Sequence, residues 1–182
     1  MRAIRQSDIL NDPADALVYS TNVLFNCTGG VGGALLMRYG AHVQKELHAL
    51  LSARSERFMK QGDVIDHVPY GLPYRHLLHT FPCDGMYDTS TDIVEDVLRR
   101  ALQICIQDQL VSRVAVSALA TGYGHMALDD FIPIAARVFN DPDFAAIPQI
   151  VLCLPDDPSF TWTQQVIREF NLALAEDTNC EQ

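Results

Sequence analysis

The chain has 182 residues, 48% hydrophobic and 20% charged, a balance that supports the packed core of about one domain and excludes a disordered or collagen-like chain. Thirteen Lys and Arg against 23 Asp and Glu give a formal net charge of −10, which argues against broad binding to nucleic acid or to an anionic membrane. No apolar run nears the ~18 residues a membrane span requires, and residues 1–7 lack the apolar core of a secretory signal, so a cytoplasmic chain is expected.

Short β-branched runs alternate with amphipathic stretches along the chain, the pattern of an α/β protein. Residues 16–20 (Ala-Leu-Val-Tyr-Ser) read as a buried strand, followed by a polar, glycine-rich loop over 22–33. Helical periodicity begins after Gly33 at Ala34 and runs through Leu36, Val43, Leu47 and Leu50, with Gly40 dividing it in two. Strands are predicted over 63–68 and 76–81, joined by Pro69-Tyr70-Gly71-Leu72-Pro73. Ser90 or Thr91 caps a helix whose apolar face is Val94, Val97, Leu98, Ala101 and Cys105. A strand over 114–119 runs into Ala120-Thr121-Gly122-Tyr123-Gly124-His125, then come a helix over 132–139 and a strand over 150–154. A last helix, 160–175 with Ser159 as its cap, completes a single domain over 1–175, and a flexible polar tail is expected over 176–182.

Cys27, Cys83, Cys105, Cys153 and Cys180 are odd in number and form no Cys-x-x-Cys pair, so neither a disulfide framework nor a metal site is expected. Cys105 and Cys153 sit in apolar stretches and read as buried, whereas Cys27 adjoins the glycine-rich loop, where a reactive thiol is the alternative. His79 lies mid-strand among Leu77, Leu78 and Phe81 and reads as a hydrogen-bonded core residue.

Two glycine loops follow strands, Thr28-Gly29-Gly30-Val31-Gly32-Gly33 and Thr121-Gly122-Tyr123-Gly124. Open α/β sheets bind ligands outside the carboxyl ends of their strands. Missing side chains let backbone N–H groups approach phosphate oxygens, and a helix N-terminus adds orphan donors. Neither loop carries Gly-Lys-Ser/Thr, so neither is a P-loop, and Gly122 to Ala127 fits a dinucleotide fingerprint only loosely. Two facing loops can hold a diphosphate; the alternative is that the glycines merely permit tight turns.

In this order and spacing the residues resemble the macro domain, a family that binds ADP-ribose. The similar segments are Ser7-Asp8-Ile9, Asp15-Ala16-Leu17-Val18-Tyr19-Ser20-Thr21-Asn22, the first glycine loop with Ala34-Leu35, Gly62-Asp63-Val64, Gly71-Leu72-Pro73, His79-Thr80, Ala118 to Gly124, and Leu154-Pro155-Asp156-Asp157-Pro158-Ser159-Phe160. The resemblance implies a three-layer α/β/α sandwich around a mixed sheet of about six strands, with an ADP-ribose cleft across the carboxyl end of the sheet. It implies that Asp8 accepts from the adenine amine and Ile9 offers a backbone amide. Gly30, Val31 and Gly32 then approach the diphosphate and far ribose from one side, and Thr121, Gly122, Tyr123 and Gly124 from the other. Asn22 is expected at the far ribose hydroxyls and Phe160 against the adenine ring.

The family's hydrolytic branch carries an Asp in the first loop, where this chain has Gly32, and the first Asn of its paired-Asn motif is here Tyr19. Losing that carboxylate removes the most obvious general base, leaving Asn22 and His125 as the candidate catalytic residues of an ADP-ribosyl hydrolase. Two outcomes stay open: a protein that binds, and in the catalytic case releases, ADP-ribose from a modified molecule, or an inactive interaction module with a degenerate pocket. No cofactor is implied, and nucleic acid enters only as an ADP-ribosylated substrate.

Overall fold

The computed structural model describes residues 1–54 and 57–178. Its strands are β1 Arg2–Gln6, β2 Ala16–Ser20, β3 Val64–Asp66, β4 His76–Thr80, β5 Arg113–Ser117, β6 Gln149–Leu154 and β7 Ala175–Glu176. The helices are α1 Gly30–Tyr39, α2 His42–Ala53, α3 Thr91–Cys105, α4 Leu128–Phe139 and α5 Asp157–Glu169. The strands form one sheet in the order β3-β4-β2-β5-β6-β1-β7, parallel throughout except for β3, which runs antiparallel to β4. Parallel strands covered on both faces are apolar on both faces. Accordingly Ala16, Val18, Val116 and Leu152 pack against Val97 of α3 and Phe131 of α4, while Leu17, Tyr19, Leu77 and Val151 pack with Leu35 of α1 and Leu47 of α2. The result is the α/β/α sandwich expected from the sequence, with seven strands rather than about six.

The added strands lie at one edge. Arg2 and Arg5 interrupt the apolar pattern of β1, which nevertheless sits between β6 and β7. Arg5 spends its charge below the surface, 3.4 Å from Asp12, and Arg113 reaches Asp12 at 2.6 Å and Asp177 at 2.8 Å. Asp12 and Asp177 are both buried. Residues 176 and 177, expected in a flexible tail, are instead fixed: Glu176 pairs with Ile4, and the Asp177 N–H donates to the Ile4 carbonyl at 2.9 Å. Residues 179–182, Cys180 among them, lie outside the described residues. This ion cluster also anchors the short 3-10 turn Ile9–Asn11 that follows β1 and carries Asp8 as its N-cap.

Three helices have boundaries that differ from the sequence reading. The first helix begins at Gly30, four residues before Ala34, with Gly32 buried in its first turn despite glycine's low helix propensity. The α4 helix starts at Leu128 rather than 132, with Asp129 and Asp130 at its positive end and Pro133 carried inside. The α5 cap is Asp156, whose carboxylate accepts from the Ser159 N–H at 2.8 Å, and the helix stops at Glu169 ahead of left-handed Asn171. Among the described residues no helix is long and apolar enough to cross a membrane.

Candidate functional site

The carboxyl ends of β1, β6, β5, β2 and β4 open into one cleft of about 560 Å³. From β1 to β4 it crosses four strand spacings, about 19 Å at about 4.8 Å each. Asp8, Ile9, Asp156 and Ser159 line the end over β1 and β6, the two glycine loops line the middle, and Asn22, Asn26, Cys83 and Tyr87 line the end over β2 and β4. Among the described residues its carboxylates, Asp8 and Asp156, both stand at the first end, and no Lys or Arg lines it. For a chain of net charge −10, the middle of the cleft is thus set by backbone dipoles rather than by side-chain charge.

The first loop supplies those dipoles. Whereas α3 and α5 are capped by Ser90 and Asp156, no side chain caps α1. Its first-turn N–H groups keep their hydrogen-bonding capacity at the positive end of the helix. Gly30 holds φ +52, a left-handed conformation that favours glycine, at the point where the loop turns into the helix. From behind, α2 clamps the loop: Gln44 accepts from the Cys27 N–H at 2.6 Å and donates to the Phe25 carbonyl at 2.9 Å.

The second loop is a tighter turn. Ala120 adopts φ +61 and Gly124 lies so close to the Ala120 carbonyl that a Cβ there would overlap it and come 2.7 Å from Cys83 Sγ. Tyr123, 68% exposed, reaches across to the first loop. A Cβ on Gly29 would stand 2.8 Å from Tyr123 Cε2. The two loops therefore face each other over the same space, as the strand order requires of the ends of neighbouring β2 and β5.

Ten of the residues expected at the site line this cleft: Asp8, Ile9, Asn22, Gly30, Val31, Gly32, Thr121, Gly122, Tyr123 and Gly124. Asp8 is partly engaged already: one carboxylate oxygen accepts from the Leu10 N–H at 2.9 Å and the other lies 3.7 Å from Arg38, with the side chain 46% exposed. Asn22 is engaged more fully. Its oxygen accepts from the N–H groups of Leu24 and Asn26, and its nitrogen donates to the Asn26 carbonyl at 2.7 Å. The amide shapes the loop, which leaves little of it for a ligand.

Phe160 and His125 do not line the cleft. Phe160 packs against the core beneath α5, and Asp156 and Ser159 take the place expected for it. The Asp156 cap is legible in Asp-Asp-Pro-Ser, since Asp is as good a cap as Ser. The His125 ring lies 2.8 Å from Asp88 and its backbone N–H donates to the Tyr87 carbonyl, so it braces the turn 84–88. Tyr87 was invisible in the sequence, because it follows β4 in a segment with no glycine-loop pattern.

Burial holds the Cys27, Cys83 and Cys153 thiols in the protonated form. Burial pushes Cys83 up to about 11, with Asp84 and Asp88 adding to it, and pushes Cys153 up to about 12; burial also raises Cys27. Nucleophilic cysteines need the opposite shift. Beneath the first loop, Tyr19 and His79 are wholly buried. The Tyr19 hydroxyl lies 2.6 Å from His79 Nδ1, while His79 Nε2 lies 2.9 Å from the His67 carbonyl. A carbonyl only accepts, so Nε2 carries the ring proton and Tyr19 donates to Nδ1. Burial lowers His79 to about 3 and raises Tyr19, which makes the pair a neutral core element, as expected of His79. No cluster of metal-ligating side chains occurs among the described residues.

The model of the Macro domain family matches residues 18–135, well over half of the chain. The chain belongs to the macro domain family. This macro domain is 30% identical over 134 residues to a macro domain-containing protein encoded in the sno 5′ region of Streptomyces nogalater, a match covering 72% of this chain and 73% of that protein. Among solved structures it is similar to a glycine-to-valine mutant of the Oceanobacillus iheyensis macrodomain with ADPR, at a TM-score of 0.78 and 17% identity over 92% of each chain. It is also similar to the Trypanosoma brucei macrodomain in complex with ADP-ribose, at a TM-score of 0.72 and 18% identity over 91% of this chain and 68% of that one. At such identities the structures share the fold.

Proposed function

We propose that this macro domain binds ADP-ribose, free or attached to another molecule, and that binding rather than hydrolysis is its activity. The observation that carries the reading is the pair of glycine loops facing each other across the middle of one cleft, with the uncapped N-terminus of α1 on one side. A diphosphate placed there meets backbone donors and the helix dipole, which suit an anion. The adenine amine falls to the free capacity of Asp8 at one end, and the second ribose falls near Asn22, Asn26 and Tyr87 at the other. Ligand-bound neighbours in the same fold support the ligand class: one was solved with ADPR and another with ADP-ribose.

Hydrolysis needs a group that positions or activates water at the far ribose. The cleft carboxylates are both at the adenine end, position 32 has no side chain, and the Asn22 amide is spent on its own loop. Titration calorimetry with ADP-ribose tests the proposal: saturable one-site binding is expected, and a flat trace from folded protein at millimolar ligand would remove it. Saturation at 100 times Kd would also stabilise the fold by about 2.7 kcal/mol. A nucleotide-indifferent melting curve is the outcome that favours an inactive interaction module.

A further inference from the structure

The far end of the cleft opens onto an exposed apolar rim built from three loops. Tyr87 and Tyr123 line the cleft and yet are 40% and 68% exposed, their rings 6.2 Å apart. Next to Tyr87 in the chain, Met86 is 74% exposed, and Leu24, in the loop that follows β2, is 46% exposed. The loops bearing Met86 and Leu24 adjoin, since a Cβ on Gly85 would sit 4.0 Å from Val23 Cγ2.

The display is rigidly built. In the turn 84–88 the Asp84 carboxylate accepts from the N–H groups of Met86 and Asp88, and the Asp84 N–H donates to the Asp88 carbonyl. Gln61 donates to that same carbonyl, and His125 fastens both the Asp88 carboxylate and the Tyr87 carbonyl. Tyr87 is held at φ +66, a conformation costly for a bulky residue and kept only where the surroundings enforce it. Large apolar side chains fixed in solvent next to a cleft mark an interaction surface.

We propose that this rim receives the polypeptide to which a bound ADP-ribose is attached, contacting apolar side chains that flank the modified residue. The inference rests on the ADP-ribose reading above. Continuity places the occupant: whatever is bonded to the second ribose must leave the cleft past Tyr87 and Tyr123. Its chemistry follows from the rim. Leu24, Met86 and the two tyrosine rings match apolar side chains, whereas a nucleic-acid end would bring phosphates to a protein of net charge −10 with Asp84 and Asp88 in the turn itself.

Calorimetry or fluorescence anisotropy tests it with four ligands: free ADP-ribose, a peptide ADP-ribosylated between Leu and Phe, the same peptide with Ser flanks, and an oligonucleotide ADP-ribosylated at its end. The Leu/Phe peptide is expected to bind at least tenfold tighter than free ADP-ribose, and the Ser-flanked peptide and oligonucleotide no tighter. Met86→Glu combined with Leu24→Glu should abolish the tenfold advantage while leaving free ADP-ribose unchanged, which also shows that the variant is folded. Equal affinity for both peptides and free ADP-ribose, or a gain confined to the oligonucleotide, overturns the rim as a polypeptide surface while leaving the cleft intact. Absence of binding to all four overturns the ADP-ribose reading and the rim together.

Discussion

Glycine 122 and glycine 124 stand two residues apart in one loop, yet a Cβ on the first meets nothing within 4 Å while on the second it would overlap the Ala120 carbonyl and crowd Cys83. The first loop shows a different division. Gly30 needs its left-handed φ but a Cβ on it would meet nothing within 4 Å, and a Cβ on Gly32 would stand in ordinary contact, 3.4 Å from Cys27 Cα and 3.8 Å from Tyr19 Cε2. The second loop is therefore closed by packing, and the first is shaped by backbone conformation and held from below by α2 and the Tyr19–His79 pair. What the loops share is the space between them. A glycine-rich segment is thus not one device, and each position answers to a separate test.

The largest effect falls on the packed position. Gly124→Ala sets a methyl against backbone that cannot step aside, and a cost of about 3 kcal/mol is expected from overpacking. In urea or thermal unfolding it should be far less stable than Gly122→Ala, which should stay within about 0.5 kcal/mol of the parent. Equal stability of the two variants would mean that the second loop yields easily and is not closed by packing.

Acid should separate the loops next. The folded protein holds His79 neutral with a pKa lowered to about 3 by burial, whereas the unfolded chain takes up the proton near 6.5. Stability from this group is present in full above pH 6.5 and is lost as pH falls from 6.5 toward 3, at about 1.4 kcal/mol per unit. Because Phe25 and Tyr19 pack on the ring, the first loop should open first. Hydrogen exchange should show residues 22–33 deprotecting before residues 118–124 between pH 6 and 4, and His79→Gln should flatten the dependence of stability on pH across that window. A slope unchanged by the substitution would remove His79 from the account.

A smaller effect is expected of Gly32→Asp. Position 32 lies in the first turn of α1, where a carboxylate is favoured by the helix dipole, and its Cβ has room. Stability should change by less than about 1 kcal/mol. With Cys27 and Tyr19 behind it, the carboxylate's outlet is the cleft, where repulsion from a diphosphate should weaken ADP-ribose about tenfold, or about 1.4 kcal/mol. Calorimetry on the variant reads both ends of this claim: undiminished affinity would place the diphosphate away from the first loop. Any gain in release of ADP-ribose from an ester would show that the missing Asp alone separates this chain from a hydrolase.

How far the sequence carried these conclusions depends on where the information lies. Strands β2, β5 and β6 are legible because burial on both faces makes them near-continuous apolar runs, and β2 and the α3 cap fall where the pattern puts them. The β1 strand hides behind Arg2 and Arg5: Arg2 donates to the Phe144 and Ile147 carbonyls and Arg5 meets Asp12 and Asp177, partners that no local pattern reveals. The same long-range ion cluster turns an apparent tail into the strand β7. At the site, the loop residues are legible because glycine loops after strands announce themselves. The hydrogen bonds of Asn22 and His125 are not, since each depends on which partner the side chain finds, the loop's own backbone in one case and Asp88 in the other. Phe160 shows the same limit: an aromatic at the start of a helix can face the cleft or the core, and here it faces the core.

The central claim is that both glycine loops act on one ligand at once, and amide chemical shifts followed during an ADP-ribose titration test it most directly. The N–H signals of residues 30–32 and 121–124 are expected to move together along curves giving a single Kd. Shifts confined to one loop, two distinct affinities, or no shift in either loop would contradict it.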